Sequence, residues 1–258
     1  MNVLLTGGSC GIGRAVREYL TKRGVTVYSI DIKDGGEDSF VADVSDTESL
    51  VSVREELERR GVELDAIINI AGIFLIDSFI EVGERELKRI FDVNFMGNVN
   101  VNRVFFGLLK KKGRIVITTS EVATLDPMPF NGIYNVSKTA LDSYSQALRQ
   151  ELNLLGYKVI TVRPGAFDTQ LSRGSLKGTE ELMRKTELYR EQSGKFYDLV
   201  KRFMGKPASV ERICRVYHRA ISARSPRLVY KKHINPLLKL LNILPKRLQC
   251  FIIKSIIK

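Results

Sequence analysis

Short β-branched runs alternate with longer stretches of helical period along most of this chain, and that alternation admits few folds. Val3-Leu4-Leu5, the run 25–30, Ala66-Ile67-Ile68, the run 114–118 and the run 158–162 read as strands. Helices are predicted between them at about 13–23, 46–60, 84–112 and 134–155, where apolar residues recur every three or four positions. The joints are turn-like, as at Lys112-Gly113 and Leu155-Gly156. This order belongs to βαβ units around a parallel sheet covered on both faces, an α/β doubly wound fold. The stretch 166–205 differs: it is polar, helical in period and poor in strand formers, and it predicts a helical insertion over the sheet edge. No internal repeat or Pro-rich linker marks a second body. One domain is therefore expected over residues 1–233, followed by a tail over 234–258.

Composition excludes several classes of function. With 44% hydrophobic and 27% charged residues the chain has globular proportions. Cys10, Cys214 and Cys250, with only His218 and His233 beside them, give neither metal-ligand spacing nor a disulfide framework. No metal is expected, and a reducing cytoplasmic setting fits. Met1-Asn-Val-Leu-Leu-Thr enters a strand-like run directly and lacks the features of a signal peptide. The net charge of +12 resides entirely after Glu211, because residues 1–211 hold 29 basic and 29 acidic side chains and no acid follows. A nucleic-acid partner is not expected, since the body that would carry the site is neutral.

The run Thr6-Gly7-Gly8-Ser9-Cys10-Gly11-Ile12-Gly13 follows the first strand and opens the first helix. In that context glycines permit a tight turn and bring backbone N–H groups to a pyrophosphate at the positive end of a helix. Gly7, Ser9, Gly11, Ile12 and Gly13 are the candidate cofactor contacts. Asp31, eighteen residues after Gly13, closes the second strand, where a carboxylate accepts hydrogen bonds from ribose hydroxyls and repels a 2′-phosphate. NAD is expected over NADP, although Lys33 lies two residues on and weakens the discrimination. Asp43 and Val44 are placed to bracket the adenine; alternatively Asp43 serves the helix start that follows it.

Tyr134 and Lys138 are four residues apart on a helical stretch and share one face. A neighbouring ammonium group, together with the positive nicotinamide of NAD, would favour the phenolate and lower the tyrosine pKa from its ordinary value near 10. Such a phenol exchanges a proton with an alcohol. Ser120 ends a strand at the carboxyl edge of the sheet, where its hydroxyl can hold a substrate oxygen. Asn94 sits within a long helix against its propensity, which points to a specific role such as anchoring a relay water.

These residues, in this order, resemble the short-chain dehydrogenase/reductase family from residue 2 to about residue 230. The matching positions are the Thr-Gly-x-x-x-Gly-x-Gly loop at 6–13, Asp43, Asn69-Ile70-Ala71-Gly72, Asn94, Ser120, Tyr134-x-x-x-Lys138, and Pro164-Gly165 with Thr169. The resemblance implies a Rossmann fold and an NAD(H)-dependent oxidoreductase that interconverts an alcohol and its carbonyl compound. Asn94, Ser120, Tyr134 and Lys138 would be its catalytic tetrad, with Ser120 and Tyr134 on the substrate. Lys138 would bind the nicotinamide ribose, and Asn69, Ala71, Gly72, Pro164, Gly165 and Thr169 would contact the cofactor. A homodimer or homotetramer is implied as well. The sequence departs from the family at Ile70, where a second Asn is usual, and its interval from Ser120 to Tyr134 is about one residue longer. Residues 120–134 and 143–152 look most like the branch acting on steroids, retinoids and related lipophilic alcohols.

A serine hydrolase is excluded, because Ser120 lies in Thr118-Thr-Ser-Glu-Val122 and not in a Gly-x-Ser-x-Gly turn. A dinucleotide-binding regulator without activity, and a sugar-nucleotide epimerase or dehydratase, stand as alternatives. A complete tetrad argues against the first, and glycine spacing against the second. The tail from Ile234 onward interleaves leucines, isoleucines and Phe251 with Lys239, Lys246, Arg247, Lys254 and Lys258, and Pro236 and Pro245 divide it into two short helical pieces. Its amphipathic faces either pack on the substrate cleft or a partner subunit, or lie on a membrane surface as a peripheral anchor.

Overall fold

The computed structural model describes residues 1–167, 170–203, 208–233 and 235–258. Among the described residues seven parallel strands form one sheet: β1 (Asn2–Thr6), β2 (Thr26–Asp31), β3 (Ser39–Val41), β4 (Leu64–Asn69), β5 (Leu109–Thr118), β6 (Lys158–Pro164) and β7 (Val229–Lys232), in the order β3-β2-β1-β4-β5-β6-β7. The order reverses between β1 and β4, and the two halves wind outward from that point. Ligands of open α/β sheets bind at the carboxyl ends of the strands beside such a reversal.

Strand periodicity divides the core into two layers, because successive side chains point to opposite faces. Val3, Leu5, Ala66, Ile68, Val116, Ile160 and Val162 face helices α1 (Gly11–Thr21) and α8 (Glu211–Ser222). Leu4, Ile67, Ile115, Ile117 and Val159 face α2 (Thr47–Arg59), α4 (Gly97–Phe105) and α5 (Gly132–Asn153). Near-continuous apolar runs such as Ile115-Val-Ile are what a doubly covered sheet requires.

The helix expected over 84–112 is composite. α3 (Glu84–Phe91) leads through a π-helical turn (Asp92–Met96) into α4, a 3₁₀ turn covers Phe106–Leu108, and Leu109 already opens β5 opposite Leu64. Pairing with β4 overrides the helical pattern of the last residues, and a register shift between Leu64 and Ala66 accommodates the lysine run. The sequence reading also lacked β7, a short edge strand with one buried residue, Tyr230. Three buried asparagines tie the 92–105 segment to its neighbours. Asn94 brackets the backbone of Ile73, accepting from its N–H at 2.8 Å and donating to its carbonyl at 3.0 Å, and also donates to Ser137 Oγ at 3.0 Å. Asn100 donates to the Val44 carbonyl at 3.2 Å, and Asn102 accepts from Asn69 at 2.8 Å while donating to Tyr144 Oη at 3.2 Å.

The segment read as an insertion holds α6 (Gln170–Lys185) and α7 (Arg190–Phe203). They cover the loop after β4: Lys185 pairs with Asp77, Thr186 donates to Glu81, and Leu182 and Phe196 pack with Ile76 and Phe130. α9 (Pro236–Ile243) and α10 (Lys246–Ile257) follow β7. Ile257 is buried in the same cluster as Phe196, and the Asn242 carboxamide accepts from the Asp126 N–H at 2.6 Å.

Candidate active site

A cleft of about 890 Å³ runs along the carboxyl ends of the strands. Its floor begins at the loop between β1 and α1. A Cβ on Gly13 would stand 1.9 Å from the Gly7 carbonyl oxygen, so the loop closes on itself only because that side chain is missing. Cys10 occupies the N-cap of α1, no side chain caps this end, and the first turn carries no acid. Backbone donors of that turn thus face the cleft at the positive end of a helix, the donor set that a pyrophosphate needs. Gly7, Gly11, Ile12 and Gly13 line this part of the cleft.

Asp31 lines the cleft at the end of β2 and accepts from the N–H groups of Ser9 at 3.0 Å and Lys33 at 3.2 Å. Each carboxylate oxygen keeps acceptor capacity for a ribose hydroxyl. Ser9 itself is not a cleft residue: its hydroxyl donates to the Lys33 carbonyl at 2.9 Å and braces the loop that positions Asp31. Asp43 and Val44 line the next section. Asp43 accepts from the N–H and hydroxyl of Ser45, whereas Asp46 is the side chain that caps α2. The helix-start alternative therefore falls to Asp46.

Residues 70–73 pass under the middle of the cleft. Thr6 Oγ1 accepts from the N–H groups of Ile70 at 3.1 Å and Ala71 at 3.2 Å, a role that the sequence reading missed although Thr6 opens the glycine motif. Ala71 and Gly72 line the cleft, but Asn69 does not; its amide turns away to Asn102. Asn94 is also absent from the wall. It is fully buried, and its side chain is committed to Ile73 and Ser137, so it fixes the 70–73 loop against α5.

Ser120 follows β5, and Tyr134 and Lys138 project from the first turns of α5 into the same space. The hydroxyl of Ser120, which accepts from the Val122 N–H at 3.4 Å, lowers the pKa of the Tyr134 phenol. Lys138 Nζ donates to the Thr118 carbonyl at 3.3 Å and lies 5.9 Å from the centre of the Tyr134 ring. Both side chains are buried. Burial pushes the phenol up to about 12, against a smaller lowering by Ser120, and burial brings the ammonium down to about 8. With the protein groups alone the phenol is raised and not lowered, because desolvation outweighs the lowering by Ser120 and the charge of Glu121 adds to the rise. Phe74 stacks edge-on against Tyr134 at 4.7 Å between ring centres and accounts for part of that desolvation.

Pro164 and Gly165 close the cleft from β6. Arg163, just before them, grips Asp142 of α5 with two hydrogen bonds of 2.8 and 2.6 Å, and Thr119 donates to the same carboxylate at 3.1 Å. Sequence reasoning missed this pair because neither residue belongs to a motif. Thr169 lies outside the described residues. Glu121, beside Ser120, is half-buried, which raises its pKa, and it accepts from the Asn235 N–H at 2.6 Å. A Cβ on Gly165 would stand 1.8 Å from the His233 carbonyl oxygen. The chain leaving β7 is therefore pressed against Gly165, and Leu237 and Leu238 of α9 line the cleft beyond it.

A profile of the family described as short chain dehydrogenase matches residues 1–180. The chain belongs to the short-chain dehydrogenase family. The chain is 30% identical over 204 residues to mouse estradiol 17-beta-dehydrogenase 2, covering 72% of this chain and 51% of that one. It is 29% identical over 188 residues to mouse retinol dehydrogenase 7, covering 66% and 58%. These relatives bear out the likeness to the steroid and retinol branch. The chain spans about half the length of the first curated relatives it matches. Its fold is similar to that of ligand-free aldohexose dehydrogenase from Thermoplasma acidophilum, with a TM-score of 0.76 and 20% identity over 95% of this chain and 96% of that one. Among the described residues no group of His, Cys, Asp or Glu is arranged to hold a metal ion.

Proposed function

We propose that this protein is an NAD(H)-dependent oxidoreductase that interconverts a lipophilic alcohol and its carbonyl compound. The observation that carries the reading is the meeting of Ser120, Tyr134 and Lys138 in one cleft with the glycine loop and Asp31. The residues present fit a dinucleotide: uncapped helix donors for the pyrophosphate, a carboxylate with spare acceptor capacity for the adenosine ribose, and Ala71, Gly72, Pro164 and Gly165 along the nicotinamide half. When bound, the nicotinamide supplies or accepts the hydride. Asp31 favours NAD, because its charge opposes a 2′-phosphate.

In carbonyl reduction Ser120 and Tyr134 would both donate to the substrate oxygen, and Tyr134 would transfer its proton as negative charge grows there. The protonated phenol favoured by burial suits that donor role. In the oxidative direction the same phenol must first lose its proton, and Lys138, one turn away, provides the charge that holds the phenolate. Asn94 and the Arg163–Asp142 pair act as positioning residues behind these groups. Ile73, Phe74, Val122, Met128, Phe196 and Leu238 give the substrate end an apolar wall, which supports a lipophilic substrate, as does the likeness to estradiol and retinol dehydrogenases.

A substrate panel tests the reading. Purified protein is offered steroids, retinoids, aliphatic alcohols and polyols, with NADH absorbance followed in both directions. Turnover of lipophilic alcohols or ketones is the expected result. A preference for polyols would overturn the substrate class, and no turnover with any of them would overturn the activity.

A further inference from the structure

The inward sides of α9 and α10 are engaged. Leu237 and Leu238 line the cleft, Gln249 and Ile257 are buried, and Lys246 pairs with Asp126. Their outward sides carry a second face. Leu240, Ile243 and Phe251 are 61%, 79% and 67% exposed, with Leu237, Leu248 and Ile256 exposed beside them. Single exposed apolar side chains are ordinary, but six large ones on two consecutive short helices form a patch that calls for an occupant. Lys239, Arg247 and Lys254 are exposed on the same two helices, and no acid follows Glu211 anywhere in the chain.

Three kinds of surface can meet such a face. In a symmetric contact with a second copy the patch meets itself, which sets cation against cation with no carboxylate of the patch to offset them. A nucleic acid would satisfy the cations but leave leucines and isoleucines wet, with Phe251 alone suited to stacking. An anionic lipid surface satisfies both sets: apolar side chains enter the acyl boundary while the amines and guanidinium meet charged headgroups. With 8 and 12 residues α9 and α10 lie on such a surface and do not cross it, and no described helix is long and apolar enough to span a membrane.

We propose that the outward face of α9 and α10 docks this protein on an anionic lipid surface, with the cleft opening at that boundary. Leu237 supports the orientation, since it both lines the cleft and is half exposed. Docking stands independently of the hydride-transfer reading; entry of a lipophilic substrate from the lipid rests on it.

The test uses the full chain and reads no turnover, so its failure is distinct from failure of the dehydrogenase reading. The protein is sedimented with phosphatidylcholine vesicles and with vesicles containing added phosphatidylserine, at low and high salt. Binding to the anionic vesicles at least roughly tenfold above the neutral ones, reduced by salt, is expected. An Ile243→Asp/Phe251→Asp double variant should lose binding, and an Arg247→Glu/Lys254→Glu variant should lose the preference for anionic lipid. All four positions are exposed, so unchanged thermal unfolding is expected to show that both variants fold. Wild-type protein that stays in the supernatant, binds both vesicles equally, or is matched by either folded variant overturns the proposal. A concentration-dependent dimer that Ile243→Asp/Phe251→Asp dissolves assigns the face to a second copy and overturns it as well.

Discussion

The two ends of the cleft are built on different tolerances. At the nucleotide end the surface is backbone: the glycine loop closes so tightly that Gly13 has no room for a methyl group, and the loop at 70–73 hangs from Thr6 and Asn94. At the substrate end the surface is side chain, contributed by α7, α9 and the loops that α6 and α10 support. A pyrophosphate demands N–H groups at fixed directions, which only a constrained backbone supplies, whereas a lipophilic molecule asks for volume and apolar contact. Changes at the first end are therefore expected to act steeply and those at the second gradually.

Five measurements bear on that contrast. Tyr134→Phe should lower kcat by about 10² to 10⁴ or more while NADH binding, followed by fluorescence, stays near wild type; wild-type turnover from this variant would remove the proposed chemistry. Gly13→Ala should weaken NADH binding by about tenfold to a hundredfold and cost about 1–3 kcal/mol of stability in denaturant titration, because the methyl meets backbone oxygen and not a flexible side chain. An unchanged affinity would mean that the backbone end is no stiffer than the other. The third is a pH series. With the phenol held up to about 12, the proton needed for reduction is present at neutral pH, whereas oxidation needs it gone. Oxidative kcat/KM should then rise with pH by up to about tenfold per unit from pH 7 to about 8 and less steeply above, where Lys138 loses the charge that holds the phenolate, and reductive kcat/KM should not rise. An oxidative kcat/KM that stays flat from pH 7, with the reductive value falling instead as the released proton requires, would show that Tyr134 is not held protonated there. Asp31→Ala should weaken NADH and narrow its margin over NADPH by about tenfold; tighter NADPH binding to the wild type would reverse the cofactor assignment. The smallest effect is expected from Leu238→Ala, a severalfold change in KM for the best lipophilic substrate with cofactor affinity unaltered. A loss of NADH binding there would mean that the two ends are mechanically one.

The same contrast explains what the sequence disclosed. The glycine loop, Asp31, Ser120 and the Tyr134/Lys138 pair are short motifs whose geometry is set locally, so spacing was enough to place them in one cleft. Ser9 and Asn69 belong to those motifs too, yet they support the cleft from behind, since a motif names a neighbourhood and not the direction of each side chain. Residues 109–112 read as helix because their periodicity is helical, and only pairing with β4, 45 residues away between Leu64 and Leu109, makes them strand. The rise in the phenol pKa was invisible for a similar reason. It comes from burial of a ring against which Phe74, 60 residues earlier in the chain, is packed edge-on, and no local pattern reports it.

The buried asparagines of the 92–105 segment act as a check on threading. Asn94, Asn100 and Asn102 each reach a different neighbour: the loop and helix beside the cleft, the end of the Val44 turn, and the sheet with α5. If this stretch slid by one residue, all three carboxamides would leave these partners while remaining inside the protein. At about 1–3 kcal/mol for each stranded amide, the misthreaded chain would forfeit roughly 3–9 kcal/mol, comparable with the roughly 5–15 kcal/mol by which a whole domain is stable. A hydrophobic segment could settle into several adjacent positions at little cost. This one is held to its position by polar groups, and one of them, Asn94, lies behind the 70–73 loop beneath the place where substrate and cofactor are expected to meet.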